Sequence, residues 1–161
     1  MQRFSPYVFC RLHAKDTHAR GLMANLTFLP SFLADAQLSM SPSSPSSVTP
    51  LVINTSQALS FEFFLGGPGS GAPMHFHGDA LNSLMFGRKL WYLQPPSLSE
   101  YSTVHIVDFV MHVLPRLRKK GRTPLSCTQM AGDMLYVPRG WGHAVLNLAT
   151  SGACGVDVAT A

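Results

Sequence analysis

Short apolar runs alternate with glycine and proline turns along the second half of the chain. Eight runs of five to seven residues are rich in the branched and aromatic side chains that favour β-strands. They are Leu59–Leu65, Pro73–His77, Leu81–Phe86, Lys89–Gln94, Leu125–Met130, Asp133–Val137, His143–Ala149 and Cys154–Val158. Turn signals such as GGPGSG at 66–71 separate them. Short strands joined by such turns predict an all-β sandwich or barrel.

One stretch has helical periodicity instead. Its apolar residues recur at spacings of three and four: Tyr101, Val104, Val107, Met111 and Leu114. Ser97 and Glu100 ahead of them have the spacing of a capping box, and Pro115 follows as a stop signal. The pattern therefore predicts a helix over 101–114, inserted between the fourth and fifth predicted strands.

The first part of the chain lacks this strand pattern. Residues 39–50 read SMSPSSPSSVTP, with six serines and three prolines, a composition that does not pack a core. We therefore divide the chain into an irregular N-terminal segment, 1–58, with a linker at 39–50, and a folded domain, 59–161.

Composition and charge exclude several classes of protein. Apolar residues make up 46% of the 161 residues, so the chain can bury a core, and no apolar stretch is long enough for a membrane span. The net charge of +4 is too small to indicate a nucleic-acid partner. Three cysteines without CxxC spacing indicate neither a disulfide framework nor a zinc ribbon.

Three histidines carry the clearest chemistry. His75 and His77 are two positions apart in a predicted strand, so alternation places both side chains on one face. His143 opens a later strand, directly after the tight turn at 138–142. Neutral imidazoles bind iron, zinc, nickel and copper, and three of them leave coordination positions open for other ligands. We therefore predict a metal site at His75, His77 and His143.

Two longer motifs strengthen this interpretation. The segment GPGSGAPMHFHGDALNSLMFGRKLWYLQPP starts at residue 67, and AGDMLYVPRGWGHAVLNL starts at residue 131. Together they resemble the JmjC (jumonji-C) domain of the cupin superfamily, most closely its small, stand-alone members. The resemblance covers 59–158 and implies a double-stranded β-helix (cupin or jelly-roll) barrel. It also implies an oxygenase dependent on Fe(II) and 2-oxoglutarate.

The resemblance differs at one metal position. The family pattern is His-x-Asp followed by a distant His, which places His75 and His143 as ligands but puts His77 where the family has an aspartate. Loss of that carboxylate leaves the site one charge more positive. Three histidines also form the ligand set of some catalytic zinc sites, so zinc competes with iron here.

A second alignment of the metal motif remains open. His77 and Asp79 form a His-x-Asp pair of their own. We favour His75 as the first ligand because the SGAPM segment ahead of it matches the family, and because Gly78 would loosen a strand that must hold two ligands. In our preferred alignment Asp79 is a candidate acceptor for a ligand imidazole.

The resemblance also implies a co-substrate site. Lys89 matches the lysine that binds the distal carboxylate of 2-oxoglutarate, and an inward lysine would require an anion because a buried charge is costly. Asn82 and Asn147 fall near positions where family members place polar contacts to the co-substrate. Ala72 replaces a threonine that usually adds another contact.

Three functions follow for testing. The first is an Fe(II)- and 2-oxoglutarate-dependent oxygenase that hydroxylates a protein. The second is a catalytically inactive, cupin-like module that binds a protein partner, with a structural metal or none. The third is a metallohydrolase or isomerase on the same scaffold. The resemblance suggests the lumen of the endoplasmic reticulum, whereas the lack of a clear signal peptide argues for the cytoplasm or nucleus.

Overall fold

The computed structural model describes residues 6–13 and 60–158. These described residues contain nine β-strands, which are β1 Tyr7–His13, β2 Ser60–Gly66, β3 Gly71–His75, β4 Asp79–Phe86, β5 Arg88–Gln94, β6 Leu125–Met130, β7 Met134–Val137, β8 Gly142–Asn147 and β9 Ser151–Val158. All eight predicted strands are present, with ends shifted by up to three residues. The predicted linker at 39–50 lies outside the described residues.

The strands form two antiparallel sheets with jelly-roll topology. One sheet has the order β1-β2-β9-β4-β7 and the other the order β3-β8-β5-β6. From β2 onward, each strand lies in the other sheet from the strand before it, except that β5 and β6 are in the same sheet. As a result, strands from the first and second halves of the domain are neighbours within each sheet. This is the double-stranded β-helix that the sequence predicted.

The helix lies where it was predicted along the chain, but its start and end differ. A 3₁₀ turn occupies Pro96–Leu98, and helix α1 (residues 106–119) consists of an α-turn Ile106–Asp108, a π-helical turn Phe109–Val113 and an α-helical end Leu114–Lys119. The N-cap is His105, whose side chain accepts a hydrogen bond from the Val107 amide, so Ser97 and Glu100 do not form the capping box.

Pro115 does not end this helix. Proline lacks an amide proton, and its ring collides with the preceding turn of a regular α-helix. Here the preceding turn is π-helical, and the Leu114 amide bonds to the Phe109 carbonyl five residues back. The wider turn accommodates the proline ring, and the helix continues to Lys119.

Alternation along the smaller sheet separates two packing layers. On its outer face, Met74, Tyr92 and Ala144 pack with α1, where Ile106 and Phe109 are buried. On its inner face lie Trp91 and Val145, which pack between the two sheets with Val137 of β7 from the larger sheet. The outer layer anchors the helix, and the inner layer forms part of the wall of the cavity described below.

Strand β1 is not among the strands predicted from the sequence. It lies in the N-terminal segment and pairs antiparallel with β2, so that it forms an edge of the larger sheet. Its apolar run, YVFCRL, has the composition of a strand, but the run stands far from the other strand signals. None of the helical segments described has the length and hydropathy of a membrane-spanning helix.

Candidate metal centre and its cavity

His75 and His143 meet because they face each other across a strand pair. His75 is the last residue of β3 and His143 the second of β8, and the antiparallel register pairs them directly. Their ring centroids are 4.1 Å apart. Side chains of directly opposed residues share one face of a sheet, so both rings point into the space between the sheets.

His77 joins them from a loop and not, as predicted, from the same strand. β3 ends at His75 because the backbone beyond that point pairs elsewhere: the His77 carbonyl accepts from the Gly140 amide at 2.9 Å. The His77 ring lies 4.8 Å from that of His143 and 5.5 Å from that of His75. One ring nitrogen from each of the three histidines lies within 4.8 Å of the others.

Hydrogen bonds to backbone carbonyls set the tautomer of these three rings. The Nδ1 atom of His75 lies 2.7 Å from the Pro73 carbonyl oxygen. The Nδ1 atom of His77 lies 3.0 Å from that of Gly78, and the Nδ1 atom of His143 lies 3.1 Å from that of Trp141. A carbonyl oxygen only accepts, so each Nδ1 carries the proton and donates it. The lone pair of each neutral ring is therefore on Nε2, the atom left to bind a metal.

Burial keeps two of the rings neutral. Burial, followed by the charge of His75 and then of His77, lowers the pKa of His143 to about 3. Burial is also the main reason that the pKa of His75 lies below its usual value. Both side chains therefore present an unprotonated nitrogen at neutral pH, which is the state that coordinates metals.

Asp79 bonds to the strand β7 and to the turn before His143. One carboxylate oxygen accepts from the Tyr136 hydroxyl at 2.5 Å and from the Arg139 amide at 3.0 Å. These bonds tie the start of β4 to the turn that precedes His143. Asp79 is also absent from the metal-type cluster formed by the three histidines. The geometry thus favours the alignment that starts at His75.

Lys89 lies in the same cavity as the three histidines. The cavity has a volume of about 280 Å³, and Lys89 on its wall is only 1% exposed. Among the described residues the ammonium has no ion pair or hydrogen bond, and its nearest aromatic face is Phe64, 5.2 Å from Nζ to the ring centroid. Burial lowers the pKa of Lys89 to about 8.

The two predicted asparagines differ in position. Asn82 lines the cavity, whereas Asn147 lies buried beside it, opposite Lys89 in the strand register, and donates from Nδ2 to Ser70 Oγ at 3.0 Å. The Oδ1 atoms of both are buried without a partner among the described residues. Asn82 is thus part of the cavity lining, whereas Asn147 is outside it.

A charged pair at the cavity was not predicted. Glu62 on β2 is buried and lines the cavity, and Arg11 on β1 forms an ion pair with its carboxylate. Tyr7 and Phe9, also from β1, complete this wall. Glu62 stands in the apolar run SFEFFLG of β2, and a lone acid in such a run was the available signal.

A buried amide network supports the opposite wall. The Trp91 indole donates to Gln129 Oε1 at 2.8 Å, and Gln129 Nε2 donates to the carbonyls of Asn82 (2.9 Å) and Asp133 (3.1 Å). The Trp91 ring lies 6.1 Å from that of His143. Gln129 therefore fixes the orientation of an aromatic wall beside the histidines.

The chain resembles JmjC proteins in sequence. No protein-family model matches it. It is 39% identical over 93 residues to JmjC domain-containing protein 8 of Mus musculus, a match that covers 56% of this chain and 34% of the relative. It is 36% identical over 104 residues to the 2-oxoglutarate and iron-dependent oxygenase JMJD4 of Homo sapiens, covering 55% of this chain and 24% of the relative.

The similarity to solved structures is weaker. The ribosomal oxygenase YcfD of Escherichia coli, solved with cobalt and succinic acid, aligns with a TM-score of 0.44 at 16% identity, covering 63% of this chain and 23% of that one. The matched segment spans about a third of JmjC domain-containing protein 8. Over about half of its own length, this chain is homologous to the JmjC domain proteins.

Proposed function

We propose that this chain is a metal-binding JmjC-type domain that acts as an Fe(II)- and 2-oxoglutarate-dependent oxygenase and hydroxylates a protein side chain. One observation carries the proposal. Three imidazoles, each with one ring nitrogen within 4.8 Å of the others, line the same cavity as one buried ammonium that has no partner among the described residues. A metal and a dicarboxylate are the two ligands that this combination of groups would stabilise.

The donor set fits a divalent transition metal. Three neutral nitrogen ligands suit Fe(II) and Zn(II) alike, and they leave positions for a bidentate keto acid and a further ligand. His75, His77 and His143 would hold the ion. Because no carboxylate stands among the three, an anionic ligand would supply the charge balance that an aspartate gives in the family pattern.

The ammonium of Lys89 fits the far carboxylate of 2-oxoglutarate. Burial of an unpaired charge destabilises the unliganded protein, and an anion bound there would remove that penalty. Iron and 2-oxoglutarate, when bound, supply O₂-dependent oxidation of a C–H bond coupled to decarboxylation of the keto acid to succinate. In that reaction Lys89 anchors the acid, and Trp91, Val137 and Val145 exclude water.

Relatives with this activity support the proposal. The human relative JMJD4 is named as an oxygenase that depends on 2-oxoglutarate and iron. By analogy we propose the same co-substrates here and a protein as the hydroxylated substrate. The matched segment covers only part of each relative, so residues outside it would set substrate choice.

Two features favour the alternative function, an inactive module that binds a protein partner. His77 replaces the carboxylate of the family pattern, and Ala72 on the cavity wall offers no hydroxyl to a co-substrate. A zinc ion on the three histidines would then serve structure alone. The fold is compatible with either role, so the decision rests on ligand binding.

Metal analysis and a binding assay separate these functions. Protein purified without oxygen is analysed for iron and zinc, and its thermal stability is then measured with and without 2-oxoglutarate. The oxygenase proposal expects bound iron, a stabilisation by 2-oxoglutarate that requires the metal, and formation of succinate. Zinc-loaded protein that 2-oxoglutarate does not stabilise would favour the interaction module.

A further inference from the structure

The backbone on either side of the three histidines is held by one short segment. Residues 99–102, here called the clamp, run from the end of the 3₁₀ turn toward helix α1. The Ser102 amide donates to the Met74 carbonyl at 2.9 Å, and the Tyr101 hydroxyl donates to the Phe76 carbonyl at 2.8 Å. These two carbonyls flank His75, and Phe76 itself separates His75 from His77.

The clamp also holds the turn before His143. The Gly142 amide donates to Ser99 Oγ at 2.7 Å. The one hydroxyl proton of Ser99 is shared among the carbonyls of Pro95 (3.0 Å), Gln94 (3.2 Å) and Gly140 (3.2 Å). Ser99 therefore binds the backbone on both sides of Trp141, whose carbonyl in turn accepts from His143 Nδ1.

These contacts link the clamp to all three ligand side chains. Gly140, which contacts Ser99 through its carbonyl, donates its amide to the His77 carbonyl at 2.9 Å. His77 lies in a loop, outside β3, so such bonds, and not a strand ladder, hold its backbone. Close packing of Ser99 against Gly142 leaves little slack, since a β-carbon at Gly142 would lie 2.8 Å from Ser99 Oγ.

We infer that the clamp, through Ser99 and Tyr101, positions the three histidines for metal binding. This inference rests on the metal site of the proposed function. Ser99 and Tyr101 are positioning residues, because neither belongs to the histidine cluster or to the cavity lining. Groups that orient ligands typically change metal affinity by 10- to 100-fold when they are removed.

Cobalt(II) binding to the full chain tests the inference, because the absorption spectrum of this ion reports the geometry of its ligands. For Ser99→Ala we expect affinity to fall by about tenfold or more and the spectrum to change. For Tyr101→Phe we expect a loss of roughly three- to tenfold, the effect of one neutral hydrogen bond. Ser99→Thr keeps the hydroxyl, so its cobalt affinity should lie closer to that of wild type than the affinity of Ser99→Ala does.

Thr103→Ala is the matched control. Thr103 adjoins the clamp, is exposed and makes no hydrogen bond among those described, so cobalt binding should be unchanged. Tyr101 is 68% exposed, so its variant tests the clamp even if Ser99→Ala does not fold. In the absence of metal, hydrogen exchange of the Gly142 amide should be faster in Ser99→Ala than in wild type, because the variant lacks the acceptor of that amide.

The outcomes separate this inference from the proposed function. One outcome would be faster exchange at Gly142 in Ser99→Ala, together with cobalt binding like that of wild type in both Ser99→Ala and Tyr101→Phe. That outcome would mean that the clamp does not position the ligands, although the metal site itself exists. If wild type binds no cobalt, the metal site fails and the inference fails with it. Weakened binding in both variants, with Thr103→Ala unchanged, supports the clamp.

Discussion

His75 and His143 are direct partners across the β3–β8 pair, with ring centroids 4.1 Å apart, although 68 positions separate them in the sequence. The register of a strand pair fixes which residues oppose each other, and a one-residue slip would send one ring to the outer face. Two of the three candidate ligands are therefore set by the sheet, whereas the third depends on loop contacts.

The first prediction concerns the choice of ligands. His75→Ala and His143→Ala should each abolish stoichiometric metal uptake, because two imidazoles at this site hold an ion far less tightly than three. Metal content is measured by elemental analysis after anaerobic loading and desalting. Circular dichroism of each variant checks that the fold remains.

Asp79→Asn is the matched control for this prediction. The amide oxygen still accepts from the Tyr136 hydroxyl and the Arg139 amide, so the turn before His143 keeps its contacts. Metal content should remain close to that of wild type. Full loss of metal in Asp79→Asn, with uptake retained in His75→Ala, would mean that His77 and Asp79 are the true motif.

The second prediction concerns Lys89 and pH. Burial lowers its pKa from 10.5 to about 8, so below pH 8 the lysine is charged in both the folded and the unfolded chain and its burial cost is complete. Between pH 8 and 10.5 the folded protein releases the proton first. The stability of the unliganded protein should therefore rise over this window, by at most roughly 3 kcal/mol.

Lys89→Met isolates that contribution. It removes the charge and keeps an apolar side chain of similar length, so it should be more stable than wild type at pH 7 and should lose the difference near pH 10. Urea unfolding at both pH values measures this. The variant should also lose stabilisation by 2-oxoglutarate while it retains metal. A less stable Lys89→Met at pH 7 would contradict the assigned burial cost.

Sequence patterns predicted the barrel well because strand periodicity, glycine turns and the two long motifs agree. They failed where contacts between distant segments decide the structure. His77 leaves the strand because its carbonyl bonds to Gly140, and helix α1 passes Pro115 because a π-turn makes room for it. Neither arrangement has a periodic signal.

The residues of the cavity wall show the same difference between what local sequence patterns predict and what contacts between distant segments decide. Lys89 was predicted from the resemblance, and it lines the cavity together with Trp91, two positions further along β5. Arg11 and Glu62 were missed because their meeting depends on β1 pairing with β2 across about fifty residues of chain. Short-range patterns do not report such long-range pairing.

The third prediction tests the amide network behind Trp91. Gln129→Leu removes the acceptor of the buried indole and the donor to two backbone carbonyls, of which the Asp133 carbonyl still accepts from the Leu84 amide. We expect a loss of about 2–3 kcal/mol in the free energy of unfolding. Thr128→Ala on the same strand is exposed and should change stability by less than about 0.5 kcal/mol. Equal effects of the two variants would contradict the network.

The last prediction compares two glycines with nearly the same backbone conformation. Gly87 has φ +92° and Gly132 has φ +91°, so alanine is strained at both, at a cost of roughly 1–2 kcal/mol. Their surroundings differ. A β-carbon at Gly87 would lie 2.3 Å from the Thr150 carbonyl oxygen, whereas no atom of the described residues lies within 4 Å of one at Gly132.

Gly87→Ala should therefore cost more than Gly132→Ala by roughly 1–3 kcal/mol, the usual penalty of a forced backbone shift. Gly87 joins β4 to β5 just ahead of Lys89, so the shift should also weaken binding of 2-oxoglutarate, while Gly132→Ala leaves binding unchanged. Chemical unfolding and a ligand titration measure the two effects. If both alanine variants lose the same stability, steric closeness at Gly87 is not what requires glycine there, and conformation alone explains both positions.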